Sequence, residues 1–183
     1  SKDSPGQEIV LGPVQLHLQS LCAGQRWPAF ILFIALGLSY PSLSMRTLHS
    51  LDYSEAKRAV DLIVDRALQM QKAVVVAVAD SHGDLICLSR MDGAPISSIR
   101  VATNKAWTAA RERKPTKEIG EKVRHPEKGH DIVYYGDPQY VGWGGGIPVW
   151  KNGEVVGAVA VSGLSSNEDI ALATLGVELI AGS

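Results

Sequence analysis

The dipeptide Asn152-Gly153 constrains this chain most, because it stands between two apolar runs. A type I′ turn needs positive φ at both central residues, and Asn-Gly supplies it, so the flanking runs predict a β-hairpin. The run after the turn is rich in valine and small residues, which is typical of a central, covered strand. The run before it begins with the glycines Gly144–Gly146. Consecutive glycines indicate either a bulge or turn that serves the backbone alone, or a point where a ligand approaches the main chain.

Helical and strand patterns alternate through the rest of the chain. Apolar residues recur at helical spacing between Asp52 and Met70, with Asp52 and Glu55 in a capping arrangement. A second hairpin is predicted around the turn 80–83, which is followed by a helix through about Arg111. The remaining predictions are helix caps: Ser97 or Ser98 for the second helix, Thr116 for a short third one, and Ser165 or Ser166 for the last, where Ser166 pairs with Asp169.

This order of elements predicts an α+β fold with a mainly antiparallel sheet and helices on its faces, because hairpins dominate over crossovers. It excludes a Rossmann domain, because the glycine run lies inside a hairpin and not between a strand and a helix. The net charge of −1 gives no indication of a nucleic-acid partner. Cys22 and Cys87 stand far apart and indicate neither a zinc site nor a disulfide framework.

Residues 1–44 differ from the rest and are predicted to be an extension outside the fold, with a ligand-binding domain at 45–183. The apolar run 29–38 is too short to span a bilayer, so no membrane partner is expected for the domain. It has the length of a signal-peptide core, with Arg26 before it and Ser42-Leu43-Ser44 resembling a cleavage site. Three interpretations stay open: sequence upstream of a start at Met45 or an added extension, an export signal, or an ordered part of the fold. The domain is expected in the cytoplasm, or outside the cell if the extension is an export signal.

Five motifs in register identify a family. They are Asp80-x-x-Gly83-x-Leu85, Arg90-Met91-Asp92-Gly93-Ala94, Asn104-Lys105-Ala106-x-Thr108-Ala109, Gly144-Gly145-Gly146-Ile147-Pro148 and the run Gly153–Gly163. Over about Leu48 to Leu179 the chain resembles the family of haem-binding HbpS, the glycolate-operon protein GlcG and the C-terminal domain of PduO-type corrinoid adenosyltransferases. The resemblance implies a profilin-like fold with a five-stranded antiparallel sheet, homo-oligomers that are often octamers, and haem or a related tetrapyrrole as ligand.

The candidate site combines main-chain donors with charged side chains. Backbone N–H groups of a glycine run, with a nearby lysine, suit a carboxylate such as a haem propionate or a small organic acid. A local salt bridge between Arg90 and Asp92 and a structural charge on Lys105 are the alternatives. The predicted ligand-binding residues are Arg90, Met91, Asp92, Lys105, Trp143, Gly144, Gly145, Gly146 and Pro148.

Haem is the expected cofactor, and its axial ligand is open. Haem-binding relatives supply a histidine from the first helix, whereas no histidine lies between Asp52 and Met70 here. His82, His125 and His130 are the candidates for haem ligation or proton transfer. Three functions follow: a small-molecule binding protein for haem or a related tetrapyrrole, of carrier or sensor type; a small-molecule enzyme (isomerase, lyase or hydrolase) acting on an organic acid; or an oligomeric accessory domain.

Overall fold

The computed structural model describes residues 47–182, which form an α+β fold whose antiparallel sheet is flanked by helices, as predicted. The predictions for residues 1–44 lie outside the described residues. In chain order the elements are α1 (Tyr53–Gln69), β1 (Val75–Asp80), β2 (Leu85–Arg90), α2 (Ser97–Glu112), α3 (Thr116–Val123), a 3₁₀ helix (Ile132–Tyr135), β3 (Gly146–Lys151), β4 (Glu154–Ser162) and α4 (Ser166–Ala181).

The sheet consists of two hairpins joined side by side, in the order β2-β1-β4-β3 with every pair antiparallel. Asn152 and Gly153 have φ of 52° and 79°, which confirms the predicted hairpin turn. Pro148 lies in β3, at the sheet edge, where a residue without an N–H is tolerated.

The expectation of five strands was wrong for the described residues, which form four. Each hairpin supplies two strands, and β4 joins them by pairing with β1 and β3. The segment before α1 reaches the sheet through a hydrogen bond from the Leu51 N–H to the Val156 carbonyl, at 2.8 Å, and no ladder forms there.

Helices cover both faces of this sheet. Alternate residues of β1 point to opposite sides: Val76 and Val78 belong to a core shared with α1 and α4, whereas Val75 and Ala77 belong to a second core with α2. The α2 side of that second core contains alanines, which let the helix approach the strands closely. α2 therefore lies on one face, and α1 and α4 pack together on the other.

The helix-cap predictions were correct for α1, wrong for α2 and α3, and partly correct for α4. Asp52 and Glu55 form the predicted capping box of α1. Neither Ser97 nor Ser98 caps α2, which follows Ile96 without a side-chain cap. Thr116 is the first residue of α3 and not its cap, because its hydroxyl is engaged with the loop that precedes β3.

At α4 the cap is Ser165, one of the two predicted serines, and its partner in the capping box is Glu168. The predicted pairing of Ser166 with Asp169 was wrong. The Asp169 carboxylate points into the protein and binds Lys105, which the next section describes.

Candidate ligand-binding site

A buried ion pair joins the two helix layers. Lys105 Nζ in α2 lies 2.9 Å from Asp169 Oδ2 in α4, and the two side chains are only 3% and 4% exposed. Lys105 Nζ also donates to the Val161 carbonyl at 2.9 Å, and Asp169 Oδ1 accepts from the Leu164 N–H at 3.1 Å. Because α2 and α4 cover opposite faces of the sheet, the pair crosses between the layers beside the end of β4.

Gly145 makes room for this crossing. Its φ is +118°, and a Cβ at this position would lie 2.9 Å from Lys105 Nζ and 2.8 Å from Asp169 Cβ. The same Cβ would stand 2.6 Å from the Val161 carbonyl oxygen, closer than real Cβ atoms approach. Both the backbone conformation and the space therefore require glycine here.

The neighbouring glycines also contact protein atoms. A Cβ at Gly144 would lie 2.7 Å from Ile170 Cδ1, and one at Gly146 would lie 2.6 Å from the Lys105 carbonyl oxygen. The Gly146 N–H donates to Thr116 Oγ1 at 3.0 Å, and that hydroxyl donates to the Trp143 carbonyl at 2.6 Å. Internal packing thus accounts for the glycine run, and contact of these glycines with a ligand stays a prediction.

Burial shifts the pKa values of the pair in opposite directions. Removal from water lowers the pKa of Lys105 below its ordinary value and raises the pKa of Asp169 above its own. The hydrogen bond and the charge attraction between the two groups oppose both shifts. Each partner therefore holds the other in its charged form against the cost of desolvation.

Two cavities adjoin this region, and Val101 and Trp143 line both. The first, which we call the His130 cavity, has a volume of about 510 Å³, and its walls include Arg124, His130, Tyr140 and Trp143. The second, the Lys105 cavity, has a volume of about 340 Å³ and is bordered by the ends of α2, β4 and α4. Its polar walls are Ser97, Ser98, Lys105, Ser162, Ser166 and Asp169.

Stacked rings support the wall of the His130 cavity. The His130 ring lies 5.6 Å from Tyr135, which stacks on Tyr140 at 4.4 Å, and Tyr140 meets Trp107 edge-on at 5.2 Å. The Tyr140 hydroxyl donates to Glu112 Oε1 at 2.7 Å. Desolvation, reinforced by this carboxylate, raises the pKa of Tyr140 to about 12. The loop that carries His130 is thus attached to α2 through aromatic contacts.

Of the other predicted residues, Arg90, Met91 and Asp92 lie at the end of β2. Arg90 and Asp92 are exposed, and Met91 packs against the edge of the core. In the sheet, Arg90 pairs with Val75, and Val75 pairs with Ser162 on its other side. The three predicted residues therefore lie at the same end of the strands as the Lys105 cavity. They are not among the residues that line either cavity.

The three predicted histidines occupy different environments. His130 lines the cavity named after it. His125 Nδ1 accepts the N–H groups of Glu127 and Lys128 at 3.2 and 3.1 Å, which stabilises the local turn. His82 is exposed in the β1–β2 turn, where its carbonyl accepts from Arg111 Nε at 2.9 Å. Their roles stay predictions, and the geometry brings only His130 of the three to a wall of either cavity.

Asp169 is the residue that sequence reasoning missed. The sequence predicts it as a capping partner, three residues after Ser166. Once Ser165 is taken as the cap, Glu168 occupies the third helical position and completes the box. If Ser165 is chosen as the cap instead of Ser166, Asp169 has no capping role. That choice was the sequence signal that Asp169 could serve another purpose.

A family model described as haem degrading protein HbpS-like matches residues 51–178. The chain belongs to the HbpS-like family. Its matched region contains the ion pair, the glycine run and the residues that line both cavities. None of the described helices has both the length and the apolar character that crossing a membrane requires.

Relatives of this HbpS-like chain include proteins with different descriptions. An uncharacterised 15.0 kDa protein from the dhaT–dhaS intergenic region of Citrobacter freundii is 36% identical over 118 residues, which cover 64% of this chain and 83% of that protein. The corrinoid adenosyltransferase PduO of Salmonella typhimurium is 29% identical over 131 residues, which cover 72% of this chain but only 39% of PduO. The chain therefore corresponds to a part of that enzyme.

Solved structures agree with the fold. The Klebsiella pneumoniae protein ORFY superposes with a TM-score of 0.73 at 28% identity, covering 79% of this chain and 99% of ORFY. The PduOC–haem complex superposes with a TM-score of 0.67 at 28% identity, covering 71% of this chain and 94% of PduOC. One structural relative has thus been crystallised with haem.

Proposed function

We propose that this chain binds haem or a related tetrapyrrole, as a carrier or sensor, in the His130 cavity. The observation that carries the proposal is the composition of the cavity wall: an indole that is 61% exposed, an imidazole, a phenol and a guanidinium face one space. A flat apolar macrocycle with acidic side chains needs this combination of aromatic surface and cationic groups. The family description and the haem complex of PduOC support the same ligand class.

Each group has a role that suits its chemistry. Imidazole is a common axial ligand of haem iron, which assigns that role to His130. Trp143 and Tyr140 offer ring surface to the macrocycle. Arg124 donates two N–H groups to the Gly142 carbonyl, both at 3.2 Å, and its remaining donors are available to a propionate. Bound haem would supply the redox-active iron.

The residues present can hold haem, but the axial histidine would come from a different element than in the haem-binding relatives. α1 contains no histidine, whereas His130 is half-buried and is held by its contact with Tyr135. An axial ligand from the loop between α3 and β3 therefore replaces one from α1 in this proposal.

Several finer expectations belong to the same proposal. They are a profilin-like classification of the fold, a homo-oligomer such as an octamer, and a cytoplasmic location. The exposed side chains of Leu62 and Leu68 on α1, with Leu85 on β2, offer apolar surface for assembly. An enzyme acting on an organic acid and an accessory domain stay as alternatives.

Titration of the purified chain with hemin tests the proposal. We expect a saturable Soret shift, and we expect His130→Ala to change the Soret position and weaken binding by about tenfold or more, because the axial bond is lost. His82→Ala is the matched control, since it removes an exposed imidazole outside the His130 cavity. Absence of a saturable shift would overturn the proposal. Equal spectra for His130→Ala and the unaltered chain would remove His130 as the ligand.

A further inference from the structure

The Lys105 cavity is lined by two nearly buried serines whose hydroxyls have no partner among the described residues. Ser98, near the start of α2, and Ser162, the last residue of β4, are each only 5% exposed, and both line the cavity. Neither hydroxyl forms a hydrogen bond within the described part of the chain. Neither oxygen is among the fully enclosed polar atoms without a partner, so both hydroxyls are open to the cavity and available to water or a polar ligand.

Among residues 47–182, no side chain compensates the positive end of the helix beside these serines. α2 has 16 residues, no side-chain cap and no acidic residue in its first turn, and Ser97 and Ser98 place that turn at the cavity. The N–H groups of Ser98 and Ile99 already donate to the Pro95 and Ile96 carbonyls at 3.0 and 3.2 Å, so the helix dipole, more than free N–H groups, gives this end its attraction for anions. By contrast, α4 also begins at the cavity, but Ser165 and Glu168 cap it.

The ion pair in the cavity wall offers a ligand one more hydrogen-bond donor and restricts how much negative charge the ligand can carry. The ammonium of Lys105 has three N–H groups, and two of them are used by Asp169 and Val161. The third is available to a ligand. Since the Asp169 carboxylate stands in the same wall, a ligand with a single negative charge is favoured over a dianion such as phosphate.

We propose that the Lys105 cavity binds the carboxylate group of a monocarboxylate ligand, through the Ser98 and Ser162 hydroxyls and the third N–H of Lys105, with the dipole of α2 favouring the negative charge. The cavity is larger than one carboxylate needs, and the apolar walls formed by Pro95, Val101 and Trp143 accept a short carbon chain. The carboxylate belongs either to a free small acid or to a propionate of a ligand in the adjoining His130 cavity. The proposal holds whether or not haem binds.

Calorimetric titration with sodium propionate tests the site, with propionamide as a neutral probe of the same shape. We expect saturable binding of propionate in the millimolar range or tighter and none of propionamide. The double variant S98A/S162A should weaken propionate binding by at least about tenfold, because hydrogen bonds to a charged group are lost. It should keep its thermal stability, because neither hydroxyl has a partner in the protein. Ser89→Ala, on β2 outside the cavity, is the matched control.

Two outcomes would overturn the proposal: no saturable binding of propionate, or equal affinity in S98A/S162A and the unaltered chain. A titration with hemin in the presence of propionate identifies the source of the carboxylate. Competition by hemin, but not by its dimethyl ester, supports a tetrapyrrole propionate, and simultaneous binding supports a free acid. If hemin binds and propionate does not, this proposal is overturned and the haem proposal stands. If propionate binds and hemin does not, the haem proposal is overturned and this one stands.

Discussion

The two cavities share Val101 and Trp143 but are constructed in different ways. The Lys105 cavity is walled by the ends of α2, β4 and α4, with a fully buried ion pair in its wall. The His130 cavity is walled largely by the segment between α3 and β3, whose attachment to the domain includes stacked rings. Changes near the Lys105 cavity should therefore affect the stability of the whole domain, whereas changes near the His130 cavity should act locally.

The largest expected effect comes from breaking the ion pair. Asp169→Asn leaves the Lys105 ammonium buried without its counter-ion, which should lower the free energy of unfolding by about 3–5 kcal/mol. Urea denaturation monitored by circular dichroism measures it. Glu121→Gln is the control, since it removes only the exposed 3.9 Å contact with Lys117 and should cost about 0–1 kcal/mol. An Asp169→Asn variant as stable as this control would contradict the claim that the ion pair in the Lys105 cavity wall stabilises the whole domain.

The next effect separates packing from backbone conformation. Gly145→Ala should cost about 2–4 kcal/mol, because the new Cβ meets both partners of the ion pair and the Val161 carbonyl at a φ of +118°. Gly153→Ala is the matched control: its φ of +79° is also positive, but nothing lies within 4 Å of its Cβ, so only about 1 kcal/mol is expected. Equal losses in the two variants would show that crowding at Gly145 is unimportant.

The smallest effect concerns the His130 cavity and appears at alkaline pH. The pKa of Tyr140 is raised from 10.0 to about 12 in the folded protein, so folding is more favourable while this phenol is neutral than when it is ionised. This contribution is complete below pH 10 and is lost as the pH rises from 10 to about 12. Spectrophotometric titration of tyrosine ionisation, compared with Tyr140→Phe, should assign to Tyr140 a step near pH 12 in the native protein. A difference spectrum that titrates near pH 10 instead would show that burial and the Glu112 contact do not keep the phenol neutral.

Local signals predicted the fold well, and long-range contacts limited the prediction of the site. Asn152-Gly153 and the Asp52–Glu55 box are determined by neighbouring residues, and both formed as expected. Lys105 was recognised as a candidate cation, but its partner lies 64 residues away, and no local pattern connects the two. For Asp169 the local pattern shows only that Glu168, not Asp169, completes the capping box, and it does not show that Lys105 is the partner.

The glycine run shows a second limit of local reasoning. Its pattern predicted that something approaches the main chain closely, and at Gly145 the approaching groups are Lys105 and Asp169 of the chain itself. The same pattern fits a ligand or an internal ion pair. Only the three-dimensional arrangement separates the two, because it shows which atoms occupy the space where a Cβ would be.

A double-mutant cycle on Lys105 and Asp169 tests most directly whether these two residues form one buried unit that connects the helix layers. The free energy of unfolding is measured for the unaltered chain, Lys105→Met, Asp169→Asn and the double variant. We predict that the double variant loses clearly less stability than the sum of the two single losses, by about 1–3 kcal/mol, because it leaves no buried charge unpaired. Losses that simply add would contradict this account.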